Sequence, residues 1–527
     1  MSSPGLDIAF ERRLSALVNS GQPQILQGGR KGLEKESLRV TPEGRLAQTA
    51  HPRALGSALT SEHITTDYSE ALIELVTPTF TATWELLQYL LDLHQFVYRH
   101  LGTELLWATS MPGAISRDED IPIAEYGHSH IGCMKTVYRR GLGLRYGRMM
   151  QAISGVHFNY SFPLPFWEAY AELSKSRQRD AGFVSARYFD LLRNYRRHGW
   201  LVLYLFGVSP VVCKSFLKGR DHALPDFTAG TAYEPFGTSL RMSDIGYRNR
   251  NQADLTVSVN SLDEYVRDLG HAITTPHPPY EALGVKVNGR YQQLNADILQ
   301  IENEYYSFIR PKRVARSGER PTKALRRAGV EYVEVRALDV SAFGPVGVNQ
   351  NKLRFLEAFL ALCLLKESPL ISADEQRLLD QNHLTVARRG REPGLTLSRD
   401  GRDVSLRQWA RELIDSLTGI CEILDRGDAS RPYSAALAVQ AAKVEDVRLT
   451  PSARMMKELT DTGEPFFDLA LRMSATHKGY FLDLYPPNEA RLREFAAEAE
   501  ESLARQKAIE DADRGTFDEF LARYFRD

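Results

Sequence analysis

At several places in this chain acidic side chains stand two residues apart or two residues from another polar group. Glu34 and Glu36 form one such pair and Glu302 and Glu304 another, while Glu334 stands two residues before Arg336. Asp67 lies seven residues ahead of Glu74, and His157 and Asn159 repeat the same alternation. On a strand, period-two spacing sends such side chains to one face, roughly 7 Å apart along the backbone. Carboxylates held side by side repel one another unless a cation neutralises them. Oxygen donors without thiolates suit a hard cation, so magnesium or manganese is expected on the acidic face that carries Glu34, Glu36 and Glu74 with Asp67 at its entry, while His157 fits either a ligand or a core histidine with a satisfied hydrogen bond.

A magnesium site raises the question of which phosphate it serves. No G-x-x-x-x-G-K-[ST] loop occurs, and Gly28-Gly29-Arg30-Lys31-Gly32 lacks that spacing. Phosphate charge would fall instead to arginines: Arg139, Arg140, Arg336 and the run Arg310-Pro311-Lys312-Arg313. Arg336 is the sharpest of these because it shares a strand face with Glu334. The zinc-protease, serine-hydrolase and deaminase signatures are absent. A glycosidase would explain paired acids but not arginines on the same face.

The elements that must carry these groups are short alternating segments at residues 32–40, 69–76, 156–162, 300–306 and 331–336. In the second, Glu70 and Glu74 share a face; in the fourth, Gln300, Glu302, Glu304 and Tyr306 do. Each segment sets polar residues against an apolar layer, the pattern of an antiparallel sheet packed on one side. Helical periodicity appears at 84–100 and 351–365, and a heavily charged run at 488–526 reads as a solvated helix face. The class is α+β. Strands concentrate in about 28–345 and helices dominate about 350–527, with no repeat or low-complexity linker between them, so 1–527 is expected to be a single catalytic unit.

The chain of 527 residues holds 66 basic and 67 acidic side chains, a near balance that gives no reason to expect nucleic acid as partner. Cys133, Cys213, Cys363 and Cys421 are scattered without metal spacing, which suits a reducing cytoplasm. The longest apolar run, 200–206, is too short to span a bilayer, and the first twenty residues do not read as a signal peptide. A cytoplasmic location without membrane or obligate protein partner is expected.

The motifs Gly32-Leu33-Glu34-Lys35-Glu36-Ser37-Leu38-Arg39-Val40, Thr65-Thr66-Asp67-Tyr68 and Ile301-Glu302-Asn303-Glu304 with Ile309-Arg310-Pro311-Lys312-Arg313 resemble proteobacterial glutamate-cysteine ligases. The resemblance takes in Ser154-Gly155-Val156-His157, Glu331-Tyr332-Val333-Glu334-Val335-Arg336 and Ser452-Ala453-Arg454, covering roughly residues 25–463. It implies an antiparallel, half-open barrel-like sheet of the glutamine synthetase type with flanking helices. The implied reaction joins the γ-carboxylate of L-glutamate to the amine of L-cysteine, with ATP as co-substrate, in the first step of glutathione synthesis; a relative using a different amine is the alternative. By the same resemblance Glu34, Asp67, Glu74, His157 and Glu334 surround magnesium with Glu36 beside them, and Arg139 and Arg336 contact the transferred phosphoryl group. Tyr68, Tyr138, Leu142, Gln151, Tyr247 and Tyr306 would wall a pocket for the cysteine side chain, and Arg241 would meet the glutamate α-carboxylate. Tyr68 departs from the family pattern, where phenylalanine stands, and so adds a hydroxyl that needs a place.

Overall fold

The strongest alternating segment becomes the central strand of a seven-stranded sheet in the computed structural model, which describes residues 8–19, 23–219, 222–246, 255–316 and 318–526. β1 (Arg30–Val40) is flanked by β3 (Leu72–Val76) on one side and β5 (Gly155–Ser161) on the other. β2 (Ile64–Thr66) lies outside β3, and β4 (Leu105–Leu106) pairs with the far end of β1. β7 (Tyr332–Asp339) and β6 (Ile309–Lys312) extend the sheet beyond β5. Every pairing is antiparallel.

Register then does the sorting that alternation predicts. Glu36 lies opposite Glu74, Glu34 opposite His157, and Glu334 opposite Asn159, all on one face. The other face carries Leu33, Ile73, Leu75, Val156, Phe158, Val333 and Val335, all buried. That face packs on helices including α1 (Thr83–His100) and is tied to α3 (Gln350–Leu365), which is apolar and buried almost all round. A buried ion pair makes the tie: Lys31 Nζ is 2.7 Å from Glu357, whose carboxylate also accepts the Tyr433 hydroxyl at 2.8 Å. A slip of one residue in β1 would turn the acids into this core, so burial of one face fixes the register.

β7 departs from regular pairing at one place. Val335 faces Phe158 but Leu338 faces Val156, so Arg336 and Ala337 together oppose His157. Such a bulge bends the strand and re-aims the side chain at its centre.

Three expectations need correction. Residues 300–306 form no strand; Glu302–Glu304 is a 3₁₀ turn. Its two acids are pulled to different partners: Glu302 accepts from Arg320 and Thr322, and Glu304 from Arg145 and Tyr146. Glu70 precedes β3 and does not share the Glu74 face, because its carboxylate accepts the backbone N–H groups of His51 and Glu125. The charged run at 488–526 is two helices, α4 (Glu489–Ala512) and α5 (Phe517–Arg526), not one solvated face. α4 buries Leu492, Phe495, Ala499 and Ser502, a stripe at helical spacing that packs on α1 and on the turn at Gly56. A β-carbon at Gly56 would stand 2.4 Å from Ser502 Oγ, so only glycine lets α4 approach this closely.

No helix among the described residues is long and apolar enough to cross a membrane. All four cysteines are free thiols, three of them buried.

Candidate active site

The front face of the sheet gathers its acids around one imidazole. His157 Nδ1 lies 2.9 Å from Glu34 and 3.5 Å from Glu334, and its Nε2 lies 3.8 Å from Glu36. Asn159 donates to Glu34 at 2.8 Å, and the Gly155 backbone N–H donates to Glu36 at 2.7 Å. Glu34, Glu74 and His157 each bring one ligand atom to within 4.8 Å of the others. The surroundings split the acids electrostatically. Burial, together with the charges of Glu34, Asp67 and Glu36, pushes Glu74 well above the usual carboxylate range. Burial also lifts Glu36. For Glu334 burial acts upward too, but Arg336, Lys312, His157 and Arg310 overcome it and hold the carboxyl well below that range. Glu34 is lowered: burial and Glu334 work to raise it, and the hydrogen bond and charge of His157 prevail.

This donor set fits a hard divalent cation. Mutual repulsion at Glu74 is the strain a cation would relieve, and Glu334 Oε2 is buried with no hydrogen-bond partner, its Lys312 neighbour standing off at 3.6 Å.

Arg336 and Arg139 border the acids, with Arg310 opposite Glu334 and also on the cavity wall. Arg336, aimed by the bulge, donates to Glu334 at 2.8 Å, and its surrounding carboxylates outweigh burial in holding its proton more tightly than usual. Arg139 comes from α2 (His130–Tyr146); its Nε donates to the Asp67 carbonyl and its guanidinium lies 4.5 Å over the Tyr126 ring. Beside them opens a cavity of about 100 Å³ lined by Glu36, Asp67, Tyr68, Tyr138, Arg139, Leu142, Gln151, Tyr306 and Arg336 among others. It is small against the roughly 300–1,000 Å³ of common ligand sites, which suits a side chain more than a nucleotide. Acid face and cavity therefore share Glu36, Asp67 and Arg336.

Of the residues expected to wall a pocket, the structure brings together Tyr68, Tyr138, Leu142, Gln151 and Tyr306; Tyr247 lies outside the described residues. Arg241 is not on the cavity wall. Its guanidinium lies under the bulge, donating to the Arg336 carbonyl at 3.0 Å, and a β-carbon on Gly155 would stand 2.0 Å from it. The added hydroxyl of Tyr68 is buried without a hydrogen-bond partner and is accommodated because Gly143 has no side chain; a β-carbon there would lie 2.4 Å from it. Sequence reasoning missed Tyr146, Met150 and Asn303 on the wall, and the buried Arg145–Glu304 pair at 3.1 Å that supports it. No local pattern announces a pair 159 residues apart.

Antiparallel strands that line acids and arginines along one face, with a pocket at its edge, fit a transferase or ligase type of site. Comparison with known proteins narrows the class. The sequence model of the glutamate-cysteine ligase family matches residues 14–386. The glutamate–cysteine ligase of Alcanivorax borkumensis is 49% identical over 523 residues, 98% of this chain and 99% of that protein. That of Pseudomonas putida strain W619 is 48% identical over 515 residues, 98% of each. A crystal structure of a glutamate–cysteine ligase from Francisella tularensis in complex with AMP superposes with a TM-score of 0.89 at 36% identity, covering 95% of this chain and 98% of that one. A bifunctional glutathione synthetase from Pasteurella multocida shares the fold at a TM-score of 0.72 and 22% identity, over 90% of this chain and 55% of that one. This chain belongs to the glutamate-cysteine ligase family.

Proposed function

We infer that this chain joins the γ-carboxylate of glutamate to the amine of cysteine at the expense of ATP, the first step of glutathione synthesis. The carrying observation, beside family membership, is that the acid face and the pocket meet at Glu36, Asp67 and Arg336. Amide formation from a free carboxylate is slow because oxide is a poor leaving group. Transfer of the ATP γ-phosphoryl group to the glutamate γ-carboxylate gives a γ-glutamyl phosphate, and attack by the cysteine amine then expels phosphate. Arg139 and Arg336 offer fixed positive charge to the oxygens of the transferring group, where charge is redistributed as the bond breaks. Tyr68, Tyr138, Leu142, Gln151 and Tyr306 hold the cysteine side chain so that its amine faces the acyl carbon.

Glu34, Glu36, Asp67, Glu74, His157 and Glu334 would hold magnesium, or manganese in its place. Bound there, the cation would neutralise ATP phosphate oxygens and orient them. Asn159 and the Gly155 N–H keep Glu34 and Glu36 oriented for that role. Arg241 acts in this reading through Arg336, whose carbonyl it holds, more than by meeting the glutamate carboxylate. A half-open barrel of the glutamine synthetase type, one catalytic unit over the whole chain and a cytoplasmic location belong to the same proposal.

The decisive assay is ADP release with magnesium, glutamate and cysteine supplied together and each omitted in turn. Full release requires all three. Turnover as strong with another amine as with cysteine would move the assignment to a related carboxylate–amine ligase, and ATP hydrolysis indifferent to glutamate would overturn it.

A further inference from the structure

The last helix of the chain packs on the outside of the same pocket. Met134, Val137, Leu294 and Leu521 form a buried cluster separate from the main core, and Phe520 and Tyr138 pack against it. Tyr138 is thus held between the cavity on one side and the α5 cluster on the other. Ile301, also packed on this cluster, leads into the turn that delivers Asn303, Glu304 and Tyr306 to the wall of the same cavity. Polar contacts reinforce the arrangement. Asp518 on α5 accepts from Lys286 at 3.0 Å and from the Tyr291 hydroxyl at 2.7 Å, while the Tyr291 carbonyl accepts from Arg140 on α2. Phe520 stands 5.6 Å from the ring of His130, the first residue of α2.

We propose that α5 positions the amine-substrate pocket: by clamping α2 against the 286–306 segment from outside, it sets the separation of Tyr138 from Tyr306 and so the discrimination among amine side chains. The proposal rests on the reading of the cavity as the cysteine pocket. Physically, a wall made of one helix and one irregular segment has no ladder of backbone hydrogen bonds to fix its width. Side-chain contacts must fix it: from within, Arg145 and Tyr146 donate to Glu304 and Gln300 donates to the Tyr138 carbonyl, and from outside the α5 cluster adds close-packed apolar contacts, which transmit small displacements. Leu521 is the buried α5 member of that cluster and does not itself line the cavity.

The test compares Leu521→Ala with Leu521→Met in the full chain, measuring KM for cysteine, glutamate and ATP, and the preference for cysteine over 2-aminobutyrate. The expected result for Leu521→Ala is a rise of about fivefold or more in KM for cysteine and a lowered preference for cysteine. The other two KM values should stay within twofold, and Leu521→Met should restore most of the loss. Leu142→Ala, on the pocket wall itself, separates the two claims. If it raises KM for cysteine while Leu521→Ala does not, or if Leu521→Ala lowers kcat with all substrates alike, the role of α5 is overturned and the pocket reading stands. If Leu142→Ala leaves KM for cysteine unchanged, both fall. Should Leu521→Ala not fold, Asp518→Asn decides: it loosens the hold on Lys286 and Tyr291 without opening a cavity, and it must move KM for cysteine in the same direction by a smaller factor.

Discussion

Arg336 and Glu334 stand two residues apart on β7, and the pair was legible as soon as the strand was read by parity. What parity could not convey is that Glu334 leaves one oxygen unpartnered while Arg336 is surrounded by carboxylates. In the proposed reaction this fixed positive charge would meet the charge that appears as the phosphoryl group transfers. Arg336→Ala is therefore expected to lower kcat by about 10²–10³, the loss typical for one fixed donor to developing charge. Circular dichroism and a melting curve close to the parent would locate the defect in the chemistry. Asn159 was visible as a polar member of its strand, yet its hydrogen bond to Glu34 depends on the pairing of β1 with β5. Removing such an outer partner commonly weakens a metal by about 10–100-fold. Asn159→Ala should thus shift the magnesium concentration for half-maximal ADP release upward by that factor, and an unmoved midpoint would take Asn159 out of the role.

At the scale of elements, β1, β3, β5 and β7 were readable because each alternates strictly over a buried face. The segment at 300–306 alternates as well, yet it is a turn, since its acids serve Arg320 on one side and Arg145 on the other. Alternation reports a sequence pattern; only long-range partners decide whether a sheet edge is there to meet it. The bulge was illegible for the same reason, being a relation between two strands. Its support makes a clean test. Gly155→Ala must displace Arg241 and with it the hold on the Arg336 carbonyl, so kcat should fall. In an Arg241→Ala background the new methyl finds the space already vacated. The double variant should accordingly be no worse than Arg241→Ala alone, a departure from additivity that marks direct coupling. Independent, additive losses in kcat would separate Gly155 from Arg241.

Taken whole, the molecule was legible in its class and in its balance of charge, and least so in what it buries. Lys443 is an example. Burial, with the nearby charge of Lys352, brings its ammonium down from the ordinary 10.5 to about 7, although it donates to the Leu205 carbonyl and to Gln440. The folded state therefore binds fewer protons than the unfolded chain between about pH 7 and 10.5, and stability gains with rising pH across that window. Replacing it by Lys443→Met removes this gain, so the melting temperature of the parent should climb relative to the variant from pH 7 to pH 10, by roughly 2–4 kcal/mol in stability terms. A constant difference across that range would mean that the lysine titrates normally. The two C-terminal helices carry a different lesson. Ser57 near the start of the chain donates its backbone N–H to Ser502, 445 positions later, and the Thr60 hydroxyl reaches the Ser502 carbonyl. Contacts of such separation form late, after the long intervening loop has been closed. The sheet and its acids can therefore assemble before α4 and α5 dock against them. If α5 braces the pocket as proposed, the width of the amine site would be among the last features of the fold to be set, so a refolding chain should regain its sheet before its selectivity for cysteine.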